Sequence, residues 1–370
     1  MNNYGFNFSD IENKKKYVKR RLKKTSNLKE RDSLICSLLT YIKLSRGNDT
    51  NNLRFTSLAN KLTGGHFSLL KNKKYLKMGD LVFDFTNYVY DDYFLLELCQ
   101  NMIREDQLSD TDLNRVDLSL NELIDISKGF YKWLGDEEMC KYALLMLEKN
   151  DHIELVNKRL NLGDFEAGGI TYYDSVFDES YIEISLENTL FDAQVFNHEV
   201  MHSVDFSMGK KLSSTSYYGF HEVSTYTIDY LFLDYLESMG FDILEVTKLR
   251  DRKINYIHGL ASYTMLKLKL RANNGILFKK VDNEDLLPFI DDDIRKNLLE
   301  VQSGVISYLL ASKIKEDKRT GLDNLKRFIK TNIPINQIPD FSYIGISKDD
   351  LIKTSTLDFV NGVNNVGYSK

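Results

Sequence analysis

Apolar residues recur at three- and four-residue spacing along much of the chain, and this spacing is typical of helices that bury one face. The segments with this pattern are residues 28–44, 118–149, 191–207, 217–239 and 244–272. Proline, which interrupts helices, occurs only 3 times in the 370 residues, and the first is Pro288. The pattern therefore predicts a mainly α-helical fold.

A different pattern occupies residues 170–185. Ile-Thr-Tyr-Tyr at 170–173 and Tyr-Ile-Glu-Ile at 181–184 are short runs of β-branched and aromatic residues, and the residues between them suit a turn. These runs predict a small hairpin or edge strand directly before the helix at 191–207. A free strand edge is a place where an extended peptide can add as a further strand.

Composition and charge limit the partners and the location. Hydrophobic residues form 42% of the chain and charged residues 28%, and the net charge of −5 argues against a nucleic-acid partner. The basic run at residues 14–29 is expected to be a solvated helix face or an N-terminal arm. No secretory signal and no apolar run of about 18 residues is present, so we expect no membrane span. The cysteines are few and widely spaced, which favours a reducing, cytoplasmic location: Cys36, Cys99 and Cys140.

The helix predicted at 191–207 contains the sequence His-Glu-Val-Met-His at positions 198–202. Residues four apart lie one turn apart on the same helical face, so His198 and His202 can bind one metal ion at about 2.0 Å per nitrogen. Glu199 can then reach a water molecule at the metal and act as general base. Thr189 and Asp192 resemble the start of a capping box, which agrees with a helix here.

A catalytic zinc ion usually takes three protein ligands and a water. Glu222 follows His202 by 20 positions, at the start of the next helical pattern, and is one candidate for the third ligand. His221 is the competing candidate and would give a site of three histidines. Asp229 lies about two turns after Glu222 on the same face, where it could orient a ligand histidine, although a capping or solvated aspartate fits that position equally well.

A His-Glu-x-x-His sequence on a helix is typical of zinc metallopeptidases, in which the glutamate is the general base. Such a peptidase also needs hydrogen-bond donors for the oxyanion of its tetrahedral intermediate. Tyr256 and Tyr263 are seven positions apart, on one helical face, with His258 nearby. On the residue pattern alone, an aromatic pair at this spacing is more often part of a packed core than of a catalytic site, because the chain contains 22 tyrosines.

Together these segments resemble zinc peptidases of the oligoendopeptidase F and thimet oligopeptidase family, over about residues 165–275. The run at 181–192 followed by the helix at 197–203 is similar to the family's strand, turn and active-site helix. Gly-Ile-Thr-Tyr at 169–172 resembles its upstream strand, Glu-Val-Ser-Thr at 222–225 its third-ligand motif, and residues 321–328, more loosely, a later helix. The resemblance implies zinc bound by His198, His202 and Glu222. It also implies that Tyr256 and Tyr263 contact the substrate carbonyl or the oxyanion.

The chain departs from the family in several places. Met201 stands where the family usually has glycine. The histidine that precedes the family's tyrosines is missing, with Asp251 and Arg252 in that neighbourhood, and His258 is the candidate to replace it. The chain is also shorter than typical members, which implies a more open cleft or a narrower set of substrates.

The resemblance implies a zincin-like catalytic core with a small β element, in which helices form the walls of a substrate cleft. We predict an N-terminal helical region at residues 1–165 and a zinc peptidase catalytic region at residues 166–370, which can pack as one body. The expected activity is hydrolysis of internal peptide bonds in short or unfolded peptides. The alternatives are a dedicated protease for one protein or leader peptide, and an inactive metallopeptidase-like protein that binds peptides.

Overall fold

The computed structural model describes the chain in several stretches. They are residues 4–27, 90–103, 112–156, 160–161, 166–209, 220, 222–273, 275, 281–331 and 338–358, with scattered positions between 30 and 44. Most of the helix predicted at 28–44, Cys36, residues 210–219 and His221 lie outside the described residues. The chain divides into two compact units, one of residues 1–86 and 115–214 and one of residues 87–114 and 215–370. The units interleave along the sequence, and the boundary drawn at residue 165 stays a prediction.

Helices account for most of the described residues. In chain order they are α1 (Phe8–Leu22), α2 (Asp92–Asn101), α3 (Leu120–Leu134), α4 (Glu137–Leu147), α5 (Phe191–Gly209), α6 (Glu222–Ser238), α7 (Ile243–Ala272), α8 (Asn283–Leu286), α9 (Asp292–Glu316), α10 (Lys318–Lys330) and α11 (Lys348–Lys353), the last running into a π-helical segment, Thr354–Asp358. The strands are β1 (Ile153–Leu155), β2 (Leu160–Asn161), β3 (Glu166–Ala167), β4 (Gly169–Asp174) and β5 (Glu179–Ile184). The predicted mainly α fold with a small β element is therefore confirmed.

The first unit is built around a three-stranded sheet with the order β1-β5-β4. β4 and β5 form the predicted antiparallel hairpin, with Tyr172 opposite Tyr181, and β1 pairs with β5 in parallel. Asp174 stabilises the turn between β4 and β5, because its carboxylate accepts a hydrogen bond from the backbone N–H of Val176 at 2.9 Å. Because β1 was too short to show a pattern, the sequence did not predict it.

Two layers of helix cover this sheet. α5 packs against β4 and β5, and α3 and α4 pack against α5. On α1, Ile11 and Val18 join a hydrophobic cluster with Tyr172 and Tyr181 of the hairpin. The predicted helix at 118–149 is two helices, α3 and α4, and α3 begins at a capping box formed by Ser119 and Glu122.

The second unit is entirely helical in its described part. α9 is its central helix and packs against α2, α6, α7 and α10. The backbone of α9 approaches the Ile257 side chain of α7 closely at Gly304, where an added Cβ would lie 2.8 Å from Cδ1 of Ile257. No helix among the described residues combines the length and the apolar character that crossing a membrane requires.

Candidate functional site

The helix that carries the His-Glu-x-x-His motif is α5, and its first turn is fixed by side-chain caps. The Asp192 carboxylate accepts hydrogen bonds from the backbone N–H groups of Glu187 and Asn188, each at 2.8 Å. The Thr189 hydroxyl accepts one from the N–H of Phe191 at 3.3 Å. The Asp192 carboxylate thus holds the backbone just before α5, and the Thr189 hydroxyl satisfies an N–H group of the first turn that has no partner inside the helix.

His198 and His202 lie one turn apart on α5, and their ring centroids are 4.8 Å apart at an interplanar angle of 84°. Both side chains are half-buried. Phe206 stacks against His202 at 6.2 Å, and Tyr173 of β4 stacks against Phe206 at 5.2 Å. The aromatic row restricts the orientation of the His202 ring, and two neighbouring imidazoles of this kind are suited to a borderline-soft ion such as zinc.

Glu199 is buried between α5 and the edge strand β4. The Thr171 hydroxyl lies 2.7 Å from Oε2 of Glu199 and 2.8 Å from its backbone carbonyl oxygen, so its single hydrogen is shared between two acceptors. At Gly169 an added Cβ would lie 2.6 Å from Cγ of Glu199. β4 therefore approaches Glu199 so closely that only glycine fits opposite it.

Glu222 is the first residue of α6 and is half-buried. The Thr225 hydroxyl donates to Oε2 of Glu222 at 3.1 Å and lies 2.9 Å from its carbonyl oxygen. A carboxylate at the first turn of a helix is favoured by the exposed N–H groups there. Glu222 is thus a fixed carboxylate, and the competing ligand His221 lies outside the described residues.

Tyr256 of α7 belongs to a cluster that the sequence did not reveal. Its hydroxyl donates a hydrogen bond to Oε1 of Glu300 on α9 at 2.5 Å, and the hydroxyl of Tyr226 on α6 donates to the same oxygen at 3.0 Å. Burial, followed by the charge of Glu300, raises the pKa of the Tyr256 hydroxyl, so it stays protonated. Because its hydrogen is committed to Glu300, Tyr256 can serve an oxyanion only if that bond breaks.

The two other predicted side chains of α7 lie elsewhere on the helix. Tyr263 is 55% exposed, and the Nζ of Lys267 lies 5.8 Å from the centre of its ring. His258 is buried, with Nδ1 2.5 Å from the carbonyl oxygen of Met102 at the end of α2. Since two steps along a helix rotate a side chain by about 200°, His258 points away from Tyr256. The expectation that His258 lies beside the two phenols is therefore not met.

Asp229 is 2% exposed and forms an ion pair with Lys253 at 2.9 Å. The Nζ of Lys253 also lies 3.1 Å from the centre of the Tyr226 ring. Of the two interpretations of Asp229, a solvated or capping residue is excluded by this burial and pairing.

A separate cavity of about 260 Å³ lies in the second unit between α2, α9 and residues 338–351. Its walls are mainly apolar, and Gln302, Asp91 and Lys348 are among its polar residues. None of the site residues predicted from the sequence lines it, so it is distinct from the candidate site.

Comparison with known proteins gives a match in fold. No protein-family model matches the sequence, and no curated protein matches it significantly. A solved structure from Bacillus anthracis, provisionally assigned as an oligoendopeptidase F, is similar over 92% of this chain and 67% of its own, with a TM-score of 0.56 and 12% identity. PZ peptidase A, solved with an inhibitor, is similar over 95% of this chain and 71% of its own, with a TM-score of 0.54 and 11% identity.

A provisionally assigned peptidase from Chlamydophila abortus is similar over 90% of this chain and 61% of its own, with a TM-score of 0.52 and 13% identity. At such identities the likeness establishes the fold and nothing finer. The chain therefore has the fold of oligoendopeptidase F-like peptidases, as the sequence resemblance implied.

Proposed function

We propose that the protein is a zinc-dependent peptidase in which His198, His202 and Glu222 bind the metal and Glu199 is the general base. Two imidazole nitrogens and one carboxylate oxygen are a group of donors that can hold a metal ion. They match the three-ligand sets of catalytic zinc sites, which keep a fourth position for water or substrate. A peptide is accordingly the proposed partner, and the cytoplasmic location expected from the sequence is part of the proposal.

The observation that carries this proposal is the contact of Glu199 with the edge strand β4. Glu199 follows the first histidine of the pair, and its carboxylate is held by the Thr171 hydroxyl at 2.7 Å. β4 is an outer strand of the three-stranded sheet. A peptide that adds to this edge would pass next to the base, which is the arrangement that hydrolysis of an extended substrate needs.

The chemistry that zinc supplies in such a site is polarisation of the scissile carbonyl and activation of water. Glu199 takes the proton from the attacking water and later delivers it to the leaving amine. Thr171 keeps the carboxylate oriented during both transfers. Tyr263, whose hydroxyl is exposed, is the proposed donor to the oxyanion, since the hydrogen of Tyr256 is donated to Glu300.

The proposed substrates are short or unfolded peptides, cleaved at internal bonds. An extended segment that adds to a strand must first be free of structure of its own, which excludes most folded proteins. A dedicated protease for one protein would use the same residues, and a broad peptide library separates the two by the number of sequences cleaved.

The test is metal analysis together with digestion of a peptide library by the wild type and Glu199→Gln. We expect about one zinc per chain in both proteins and cleavage by the wild type only. Glu148→Gln is the matched control, because Glu148 is an exposed glutamate at the end of α4. Cleavage by Glu199→Gln at the wild-type rate would refute the role of Glu199. A wild type that lacks zinc and cleaves nothing would favour the inactive, peptide-binding alternative.

A further inference from the structure

We propose that Glu300, Tyr256 and Tyr226 form a hydrogen-bond-accepting subsite that binds a positively charged N–H group of the peptide substrate. The group is a lysine or arginine side chain or the terminal ammonium, which share this chemistry. The inference rests on the proposed function for the identity of the ligand as a peptide. We call these three residues the acceptor cluster.

The direction of the hydrogen bonds makes the cluster an acceptor. A phenol has one hydrogen to donate, and the hydroxyls of Tyr226 and Tyr256 both donate theirs to Oε1 of Glu300. An ionised carboxylate has acceptor oxygens only and no hydrogen of its own. What the cluster can still offer to a ligand is therefore lone pairs, from Oε2 of Glu300 and from the Tyr256 oxygen.

The charge of Glu300 is not neutralised by any ion pair with the described residues. Lys253 of α7, whose Nζ lies over the Tyr226 ring, is paired with Asp229 at 2.9 Å. Several other acids of this unit also have cationic partners, such as Asp92 with Arg295 at 2.8 Å and Glu245 with Lys248 at 2.7 Å. Glu300 accepts hydrogen bonds from two phenols, and a substrate cation would supply the opposite charge.

The cluster is accessible and lies close to the proposed metal ligand. Tyr256 is 41% exposed and Glu300 is half-buried, so both residues present part of their surface to solvent. Glu222 and Tyr226 lie four residues apart on α6, and therefore one turn apart on the same face of that helix. A peptide whose scissile bond lies at Glu222 would therefore have neighbouring residues within reach of the cluster.

The experiment measures peptide binding and does not depend on cleavage. Full-length zinc-loaded protein carrying Glu199→Gln is titrated with labelled peptides that differ only in one residue: lysine, arginine, norleucine or glutamate. Each peptide is made with a free and with an acetylated N-terminus. Because a hydrogen bond between charged groups is stronger than a neutral one, we expect the basic peptides to bind about tenfold more tightly than the norleucine peptide.

Adding Glu300→Gln removes the charge and keeps the shape, and we expect it to abolish that tenfold preference. Glu316→Gln is the matched control, because Glu316 is an exposed glutamate on the same helix. Tighter binding of the free than of the acetylated norleucine peptide identifies the terminal ammonium as the bound group, and a preference for lysine or arginine over norleucine among the acetylated peptides identifies the side chain. If Glu300→Gln leaves the observed preference unchanged, or if its parent shows neither preference, the proposal is overturned.

A second variant guards against a folding defect in Glu300→Gln. Tyr256→Phe leaves Glu300 charged and removes one donor to it, so we expect the preference for basic peptides to persist. If Tyr256→Phe abolished the preference for basic peptides, the conclusion that the charge of Glu300 causes that preference would be wrong. The proposed function is tested separately from the subsite. If the wild-type protein binds basic peptides through Glu300 but cleaves none, the subsite is supported and the peptidase activity is refuted. If it cleaves peptides but shows no preference for basic ones, the peptidase activity is supported and the subsite is refuted.

Discussion

Replacing Gly169 by alanine tests whether β4 fixes the position of the proposed base. The new Cβ would lie 2.6 Å from Cγ of Glu199 and 3.1 Å from both Cδ and Oε1. An ordinary contact begins at 3.4 Å, so the Glu199 side chain has to retreat by about 0.8 Å. The backbone of Gly169 is paired with Ile184 in the sheet, which leaves the side chain as the part that yields.

A displacement of this size has a calculable consequence for the rate. A misplacement of about 1 Å in a reacting group can lower a rate by about 100-fold. We therefore expect kcat of Gly169→Ala to fall by about 30- to 100-fold. Overpacking lowers the free energy of unfolding by about 1–3 kcal/mol, and we expect the low end because Glu199 can turn aside. Zinc content should not change, since the clash involves neither histidine.

The assay combines steady-state cleavage of one peptide, zinc analysis and denaturant unfolding. Gly259→Ala is the matched control: an added Cβ meets nothing within 4 Å, and the position lies inside α7. Alanine is the better helix former, so this control should gain about 0.5–1 kcal/mol and keep its activity. If Gly169→Ala keeps kcat within about twofold of the wild type, the reasoning about Glu199 and β4 is wrong.

Three further results are expected. Thr171→Val should lower kcat about tenfold, because Glu199 loses the hydroxyl that holds Oε2, whereas Thr171→Ser should stay near wild type; equal rates for the two variants would rule out an orienting hydroxyl. Chelation should abolish cleavage and added zinc should restore it, and activity that survives complete removal of metal would contradict the metal site. The pKa of Glu179 is raised by burial but lowered overall from its ordinary value of 4.5 by hydrogen bonds from Lys14 and Lys149. Its contribution to stability is therefore present above pH 4.5 and lost as the pH falls through the lower folded value. Glu179→Gln should lower the free energy of unfolding by about 1–3 kcal/mol at pH 7 and by much less at pH 3, as denaturant titrations at the two pH values would measure.

Local patterns predicted the part of the site that lies on one helix and one hairpin. The spacing of His198, Glu199 and His202 determines which side chains share a face, because an α-helix has a fixed period. The hairpin at 169–184 was also predictable from the sequence, because short runs of β-branched and aromatic residues and the turn residues between them are local signals. These predictions needed no knowledge of what packs against the elements.

The acceptor cluster could not be predicted from local sequence patterns. Its three members come from α6, α7 and α9, and Glu300 lies on a helix that the periodic pattern missed. α9 packs against several other helices on different sides, so its apolar residues do not form the single stripe by which a surface helix is detected. His258 was selected because it is near Tyr256 in sequence, but the helical rotation places the two on different sides.

Close backbone approach sets the geometry of both parts of the proposed site. Gly169 brings β4 against Glu199, and Gly304 lets α9 approach Ile257, the neighbour of Tyr256, one turn after Glu300. The atoms that require each glycine belong to a segment far away in the chain, so the close approach itself cannot be predicted from the local pattern. Local patterns therefore indicate the candidate residues, whereas the close contacts around them depend on small residues elsewhere. It follows that a larger residue at Gly169 should impair the proposed function by moving the Glu199 carboxylate, even where the fold tolerates it.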